Sequence, residues 1–386
     1  VDVAVYHHLP TGGALRVLAE WARRTTAAQV TVYTPDASVH AFAELPARVS
    51  VRAVGEPGPY DGLGALVGLM RSIPAGRRAA EQIDAGVHDV VFALPNRLTQ
   101  SPAILRHLRT PSVYYAPEAL RVAYEDPRLI FPGDSVTIRL TRAGLNPVER
   151  LRRVLDRRAA RAAPQVVTHS RFTQEDLRRN YGIDAEVLLL GVDLEAFVPA
   201  PARVDDADPY LLSVGALNPL KGHELVVEAV GRLPRERRPR LVVVGDRGHS
   251  GPALQQLATR LGVALELRSG VPFREVVALM QGATVVVAAQ IREPFGLVPL
   301  EAMACARPVV AVDEGGLRES VRDERTGLLV PRDAAVLASA LERLLGDPAL
   351  RASFGVAGRA EVEQRWRWER YAREADRVLA EAAARR

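Results

Sequence analysis

The stretch GVDLEAFVPAPARVDDADP, residues 191–209, is rich in Pro, Ala and Asp and carries no long apolar run. It reads as a linker. Before it lie the apolar runs VDVAVY (1–6), QVTVYT (29–34), VSVRAV (49–54), VHDVVFAL (87–94), SVYY (112–115), QVVTH (165–169) and AEVLLL (185–190). After it lie YLLSVG (210–215), RLVVVG (240–245), ALELR (264–268), TVVVAA (284–289) and PVVAV (308–312). Runs this continuous, alternating with helical stretches, predict parallel strands buried on both faces in α/β layers. The expected fold class is therefore α/β, with two tandem Rossmann-like domains facing across a cleft, the first over 1–190 and the second over 191–365. Ligands in such sheets sit beyond the carboxyl ends of the strands. The stretch QRWRWERYAREADRVLAEAAARR (364–386) predicts one long helix beginning near Gln364. Its segment 366–386 is expected to pack back on the first domain, packing on the second being the alternative.

Composition sets the outer bounds. A chain of 386 residues is too long for one core, given roughly 100–200 residues per domain. It is 48% hydrophobic and 25% charged, as soluble globular proteins are. No run reaches the roughly 18 apolar residues that a membrane span needs. VDVAVYHHL (1–9) reads as a buried strand and not as a signal peptide. Cys305 is the only cysteine, which excludes an intrachain disulfide and a cysteine-rich zinc site. A cytoplasmic location is expected. The net charge of +5 comes from 51 basic and 46 acidic residues, and Lys221 is the only lysine among the basic ones. This excess permits an anionic ligand, or a peripheral contact with the inner face of a membrane, and demands neither.

Five segments have the chemistry of a site. In EPFGLVPLE (293–301) two prolines argue against one continuous helix through the segment. Glu293 is then expected on a loop and Glu301 in the first turn of the following helix. Backbone N–H groups at Phe295, Gly296 and Leu297 would gather between them, a setting that favours anions. The plain alternative makes Glu301 a helix-dipole partner and Glu293 a surface charge. In SVGALNPLKGHE (213–224), Lys221 falls at a strand-to-helix turn, where an ammonium meets a phosphate well. The Walker A spacing is absent. LPTGGALRVL (9–18) places Gly12 and Gly13 at the turn after the first strand, and EGGLRES (314–320) repeats a Gly-Gly turn later. RAGLNPVERLRRVLDRRAARAAP (142–164) is a basic helical stretch that reads mostly as a solvated face. The DAD at 206–208 lies in the linker and reads as solvated, not as a metal site. No nucleic-acid motif, Ser-His-Asp order or paired-His metal spacing occurs.

Taken together, THSRFTQEDL (168–177), LLLGVDLEAFVP (188–199), LLSVGALNPLKG (211–222), LVVVGDRG (241–248), EPFGLVPLEAMACARPVVAVDEGG (293–316) and RTGLLVP (325–331) resemble the GT-B-fold retaining glycosyltransferases of family 4, the glycogen-synthase-like group with a Glu-x7-Glu motif. The resemblance implies a hexosyltransferase that moves a hexose from a nucleotide sugar to a hydroxyl acceptor, with retention, an α-glycosidic product and no required metal or cofactor. It implies that Glu301 holds the ribose hydroxyls and Glu293 the donor sugar. Phe295, Gly296 and Leu297 would offer N–H groups to sugar and phosphates, and Lys221 would neutralise the diphosphate. Gly12 and Gly13 would bring backbone to the β-phosphate, with Glu293, Lys221 and Gly13 nearest the chemistry. UDP-glucose or UDP-N-acetylglucosamine is the favoured donor, then GDP-mannose. The acceptor is a glycan, a lipid-linked species or a small molecule.

Two departures bear on this. Ala216 follows Gly215 where many members carry a phosphate-binding arginine, and Pro117 in YYAPEALR (114–121) stands where many carry a histidine. His7, His8, Glu118 and Arg121 are the candidates for acceptor contact in its place. A nucleotide-sugar epimerase of the same form, or a non-catalytic nucleotide-sugar-binding protein, are the alternatives.

Overall fold

The structure is a computed structural model that describes all residues except 10–11, 36–44, 55–62, 127–135, 144–145, 201–208, 247 and 386. The DAD at 206–208 therefore lies outside the described residues. Contacts divide the chain into two units, Val1–Leu190 with Trp368–Arg386, and Gly191–Arg367.

The first unit holds seven strands: β1 (Asp2–His8), β2 (Gln29–Thr34), β3 (Val49–Ala53), β4 (Val90–Asn96), β5 (Ser112–Tyr115), β6 (Gln165–Thr168) and β7 (Glu186–Val187). They form one parallel sheet in the order β3-β2-β1-β4-β5-β6-β7. The second unit holds β8 (Tyr210–Val214), β9 (Arg240–Val244), β10 (Leu265–Arg268), β11 (Val285–Ala288), β12 (Val309–Val312) and β13 (Gly327–Val330). These are also all parallel, in the order β10-β9-β8-β11-β12-β13. The strand order reverses between β1 and β4 in one unit and between β8 and β11 in the other. Each reversal opens a crevice at the carboxyl edge of its sheet, between loops that diverge to opposite faces.

Central strands are buried on both faces, as their apolar runs require, and β4 and β12 have hardly an exposed side chain. The edge strand β3 departs from that expectation. Four of its five residues are exposed, since it has a neighbour on one side only. AEVLLL shrinks to a two-residue strand, and GLLV (327–330) adds a strand absent from the runs above.

Two boundaries differ from expectation. The predicted linker packs in its first part. Val192 N–H donates to the Trp366 carbonyl, and Phe197 is buried against Phe273. The predicted terminal helix is two helices, Pro348–Arg365 and Trp368–Ala383, broken at Trp366 (φ −111°, ψ 67°). Trp366 packs edge-to-face on Phe295 in the second unit, whereas Trp368 begins the helix that belongs to the first.

Two carboxylates tie that helix to helix Gly13–Arg24 and the turn after it: Glu369 accepts from Arg24 Nε at 2.8 Å, and Asp376 makes the larger set of bonds. Asp376 accepts hydrogen bonds from Trp21 Nε1 at 2.9 Å, Thr25 Oγ1 at 2.7 Å, and the Thr26 N–H and Oγ1, both at 2.8 Å. Trp21 is fully buried and stacks edge-to-face on Phe92 of β4. An indole needs a partner when buried, and Asp376 supplies it.

Candidate functional site

In the second unit the loops after β8 and β11 flank the reversal in strand order. The first runs through Asn218 and a single 3-10 turn, Pro219–Lys221, and reverses at Gly222. Gly222 sits at φ 68°, and a Cβ there would lie 1.9 Å from the Ala289 carbonyl oxygen. Only glycine fits such a left-handed, touching position. The close approach brings the end of one loop against the start of the other, and the Ile291 N–H donates to the Leu220 carbonyl at 2.8 Å. Lys221 thus opens no helix itself. It precedes the cap of helix His223–Arg232.

The consequence is a pairing across 72 residues: Lys221 Nζ lies 2.8 Å from a Glu293 carboxylate oxygen. Both side chains are about three-quarters or more covered, with 27% and 20% of their surface exposed. The lysine stem lies over Gly215, where a Cβ would come within 3.2 Å of it. A larger residue at 215 would push the ammonium away.

Glu293 is on a loop, as expected. The helix that follows is Leu297–Ala304, with Gly296 as its cap at φ 102°. Pro299 is its third residue and Glu301 its fifth. Glu301 therefore stands in the second turn, not the first, because the helix begins two residues before Pro299. It is 6% exposed, which removes the reading of it as a solvated dipole partner. No acidic side chain occupies the first turn, and no side chain caps the helix. Its amino end with Phe295, Gly296 and Leu297 thus retains the N–H dipoles that attract an anion.

The second Gly-Gly turn closes on this same loop. The Gly316 N–H donates to the Glu293 carbonyl at 2.7 Å. A Cβ on Gly315 would lie 2.5 Å from the Glu293 oxygen, and one on Gly316 would lie 2.5 Å from the Pro294 oxygen. Ser320 Oγ donates to the Phe295 carbonyl at 2.8 Å. The backbone of 293–296 is therefore fixed from behind by the glycines and the serine.

Two further supports were not visible in the sequence. Arg332 holds Glu314 through two bonds of 2.8 Å, and its guanidinium also donates to the carbonyls of Ala289 and Gln290. Burial opposes the charge on Glu314, but the Arg332 guanidinium outweighs it and the carboxyl sits below its ordinary range. Arg332 is thus committed to the loop. His223, fully buried, lies 3.0 Å from Ser213 Oγ and 3.2 Å from the Gly215 carbonyl. Burial lowers its pKa, so the neutral ring donates from Nε2 to Gly215 and accepts at Nδ1. It fixes the turn on which Lys221 depends.

In the first unit, Gly12 caps helix Gly13–Arg24 at φ 151°. Among the described residues, a Cβ on either Gly12 or Gly13 would meet nothing within 4 Å, so with respect to these the backbone is open there. His7 is fully buried and its Nδ1 accepts from the Leu9 N–H at 3.2 Å. His8 ends β1 and lines a cavity described below. Arg121 makes two bonds of 3.0 Å to Glu125, with Glu118 3.9 Å away. Glu118 and Arg121 thus belong to an ion cluster around the short helix Arg121–Tyr124, and neither is among the described residues that line that cavity. Among the described residues no three His, Cys, Asp or Glu side chains gather as a metal-binding group, and no helix is long and apolar enough to cross a membrane.

Residues 11–196 match the family described as Glycosyltransferase Family 4, and residues 197–361 match Glycosyl transferases group 1. A D-inositol 3-phosphate glycosyltransferase of Streptomyces bingchenggensis is 36% identical over 57% of this chain and 53% of its own length. An alpha-maltose-1-phosphate synthase of Mycolicibacterium smegmatis is 31% identical over 60% of this chain and 66% of its own. The chain thus spans about half the length of the first curated relatives it matches, 53% in each of the first two. Among solved structures, a sucrose-phosphate synthase from Thermosynechococcus elongatus aligns over all of both chains with a TM-score of 0.77 at 21% identity. HepE from Anabaena, in complex with UDP and glucose, aligns over 98% of this chain and 99% of its own with a TM-score of 0.72 at 19% identity. At these identities the structural likeness speaks for the fold alone.

Proposed function

The chain belongs to the GT-B-fold glycosyltransferases of family 4, and from that premise we propose that it transfers a hexose from a nucleotide sugar to an acceptor hydroxyl. The observation that carries the reading is the Lys221–Glu293 pair, 2.8 Å apart at the strand reversal of the second unit. A cation, a carboxylate and an uncapped helix end meet there, which is the set of groups a sugar diphosphate requires.

In this reading the acceptor oxygen bonds to the anomeric carbon as the bond from that carbon to the β-phosphate oxygen breaks. The acceptor proton passes to the leaving diphosphate, and nucleoside diphosphate departs. Retention, an α-linkage and metal independence belong to the proposal. Lys221 and the N–H groups at Phe295, Gly296 and Leu297 meet the charge that develops on the diphosphate, where fixed dipoles lower the barrier most. Glu293 leaves Lys221 for the sugar hydroxyls, and Glu301 holds the ribose. Gly12 and Gly13 serve the β-phosphate with their open backbone. A UDP-sugar is the favoured donor, a cytoplasmic location the favoured setting, and a glycan, lipid-linked or small-molecule hydroxyl the acceptor.

The test is nucleotide release from a panel of UDP- and GDP-sugars, with and without acceptor extracts and the polyol phosphates that the relatives' names suggest. Acceptor-dependent release supports transfer. Turnover of the sugar without any acceptor would point to epimerisation, and binding without turnover to a non-catalytic protein; either overturns the proposal.

A further inference from the structure

The carboxyl edge of the first unit's sheet borders an open cavity of about 270 Å³. A single water fills roughly 10–15 Å³ of such space, so a small polyol or monosaccharide fits. Its floor is made by the ends of β1 and β4, through His8 and Asn96, and its wall by helix Leu63–Ala85. The helix presents Gly68, Ser72, Ala75 and Ala79 to the cavity, at the spacing of one helix face. Their small side chains leave the space open.

Two arginines of the same helix, Arg71 and Arg78, also line it. Seven residues apart, they lie on nearly one face and about 10.5 Å along the axis from each other. Two arginine side chains at that separation on one helix face are long enough to converge on one phosphate. Among the described residues no carboxylate lines the cavity, and none forms an ion pair with either arginine. Asn96 adds a fixed donor. Its side-chain oxygen accepts from the Leu98 N–H at 2.8 Å, which fixes the amide and leaves its NH2 group to donate. Ser72 Oγ donates to the Leu69 carbonyl at 2.7 Å, so its lone pairs remain to accept from a hydroxyl. The cavity therefore offers donors to an anion at one side and acceptors to hydroxyls at another.

We propose that this cavity is an acceptor site selecting a phosphate-bearing polyol or sugar, with Arg71 and Arg78 as the residues that read the phosphate. The inference rests on the transferase reading for the word acceptor, but not for the binding itself. Guanidinium groups match phosphate oxygens in paired hydrogen bonds, and two of them favour phosphate over a neutral hydroxyl. The phosphate then lies against the helix, and the sugar hydroxyls lie toward His8 and the strand ends.

The experiment is calorimetric binding of glucose 6-phosphate and glycerol 1-phosphate against glucose and glycerol, to the full chain with no donor present. Vesicles of phosphatidylcholine with and without phosphatidylglycerol form a second arm. The wild type should bind the phosphates at least about tenfold more tightly than their neutral counterparts, the loss of a charged hydrogen bond being worth that much. Arg71→Gln with Arg78→Gln should abolish the preference, Arg71→Lys with Arg78→Lys should keep part of it, and Ala75→Leu should exclude soluble ligands by filling the space. Binding to anionic vesicles alone, lost in the double glutamine variant, supports the same site with a lipid headgroup as the source. Equal affinity for phosphorylated and neutral compounds, or a preference that survives the double variant with an unchanged melting temperature, overturns the inference. Nucleotide release without acceptor is scored separately, so failure of the transferase reading stays distinguishable.

Discussion

If Lys221 is borrowed by Glu293 until a diphosphate arrives, removing the glutamate charge should help a nucleotide diphosphate that carries no sugar. The perturbation is Glu293→Gln, which keeps the shape and deletes the charge. The pair is 2.8 Å apart with 27% and 20% of the two side chains exposed. It lies between a surface pair at about 0.2–1 kcal/mol and a charged buried hydrogen bond at about 1.5–3 kcal/mol. A net cost near 1 kcal/mol for separating it corresponds to about a fivefold tighter dissociation constant for UDP in the variant. The same variant should lose at least about tenfold in kcat/KM for transfer, because the carboxylate no longer meets the sugar. Lys221→Met should weaken UDP binding by about tenfold or more, the opposite sign. Isothermal titration with UDP and steady-state kinetics with the UDP-sugar give the two readouts. Weaker UDP binding in Glu293→Gln, or intact UDP binding in Lys221→Met, would refute the idea that the pair is a resting state of the donor site.

Three further outcomes are expected. Gly222→Ala places a Cβ 1.9 Å from the Ala289 oxygen at φ 68°, so it should destabilise the second unit by about 3 kcal/mol or more in urea unfolding; a change near zero would show that the loop relaxes freely. Asp376→Ala leaves the buried Trp21 indole without its acceptor and should cost the first unit about 2–4 kcal/mol, read by loss of near-ultraviolet dichroism at lower urea. Burial depresses the His223 pKa in the fold, so its neutral form contributes stability above the unfolded value of about 6.5 that is lost as pH falls through the folded value. His223→Gln should flatten the fall of stability below about pH 6.5, and an unaltered pH profile would remove His223 from that role.

Much of this was written in plain periodicity. Each apolar run carries a strand, and the run lengths mark central strands better than edges, since VSVRAV looks buried yet forms an exposed edge. GLLV escaped because four residues beside a glycine leave too little pattern to separate strand from turn. The break at Trp366 left no proline or glycine to announce it. Two tryptophans two residues apart seek different cores, and a helical pattern continues smoothly through both. At the site, Glu293 and Lys221 stood out by motif and by rarity, but their contact spans 72 residues and depends on sheet order. Arg332 and His223 carried no signal at all. An arginine among fifty is invisible until its carbonyl partners are placed, and a histidine after Lys-Gly looks like any helix start.

Chain order also governs timing. The first unit's sheet is complete by residue 190, yet its Trp21 waits for Asp376, encoded beyond the whole second unit. At ribosomal speeds of roughly 5–20 residues per second, that interval lasts on the order of ten to thirty seconds. Throughout it an indole and the apolar face around it stand uncovered, while residues 191–367 emerge and can fold. The amino-terminal unit is thus the first to be made and the last to close, and a nascent chain of this protein should call on chaperones chiefly for the half that was synthesised first.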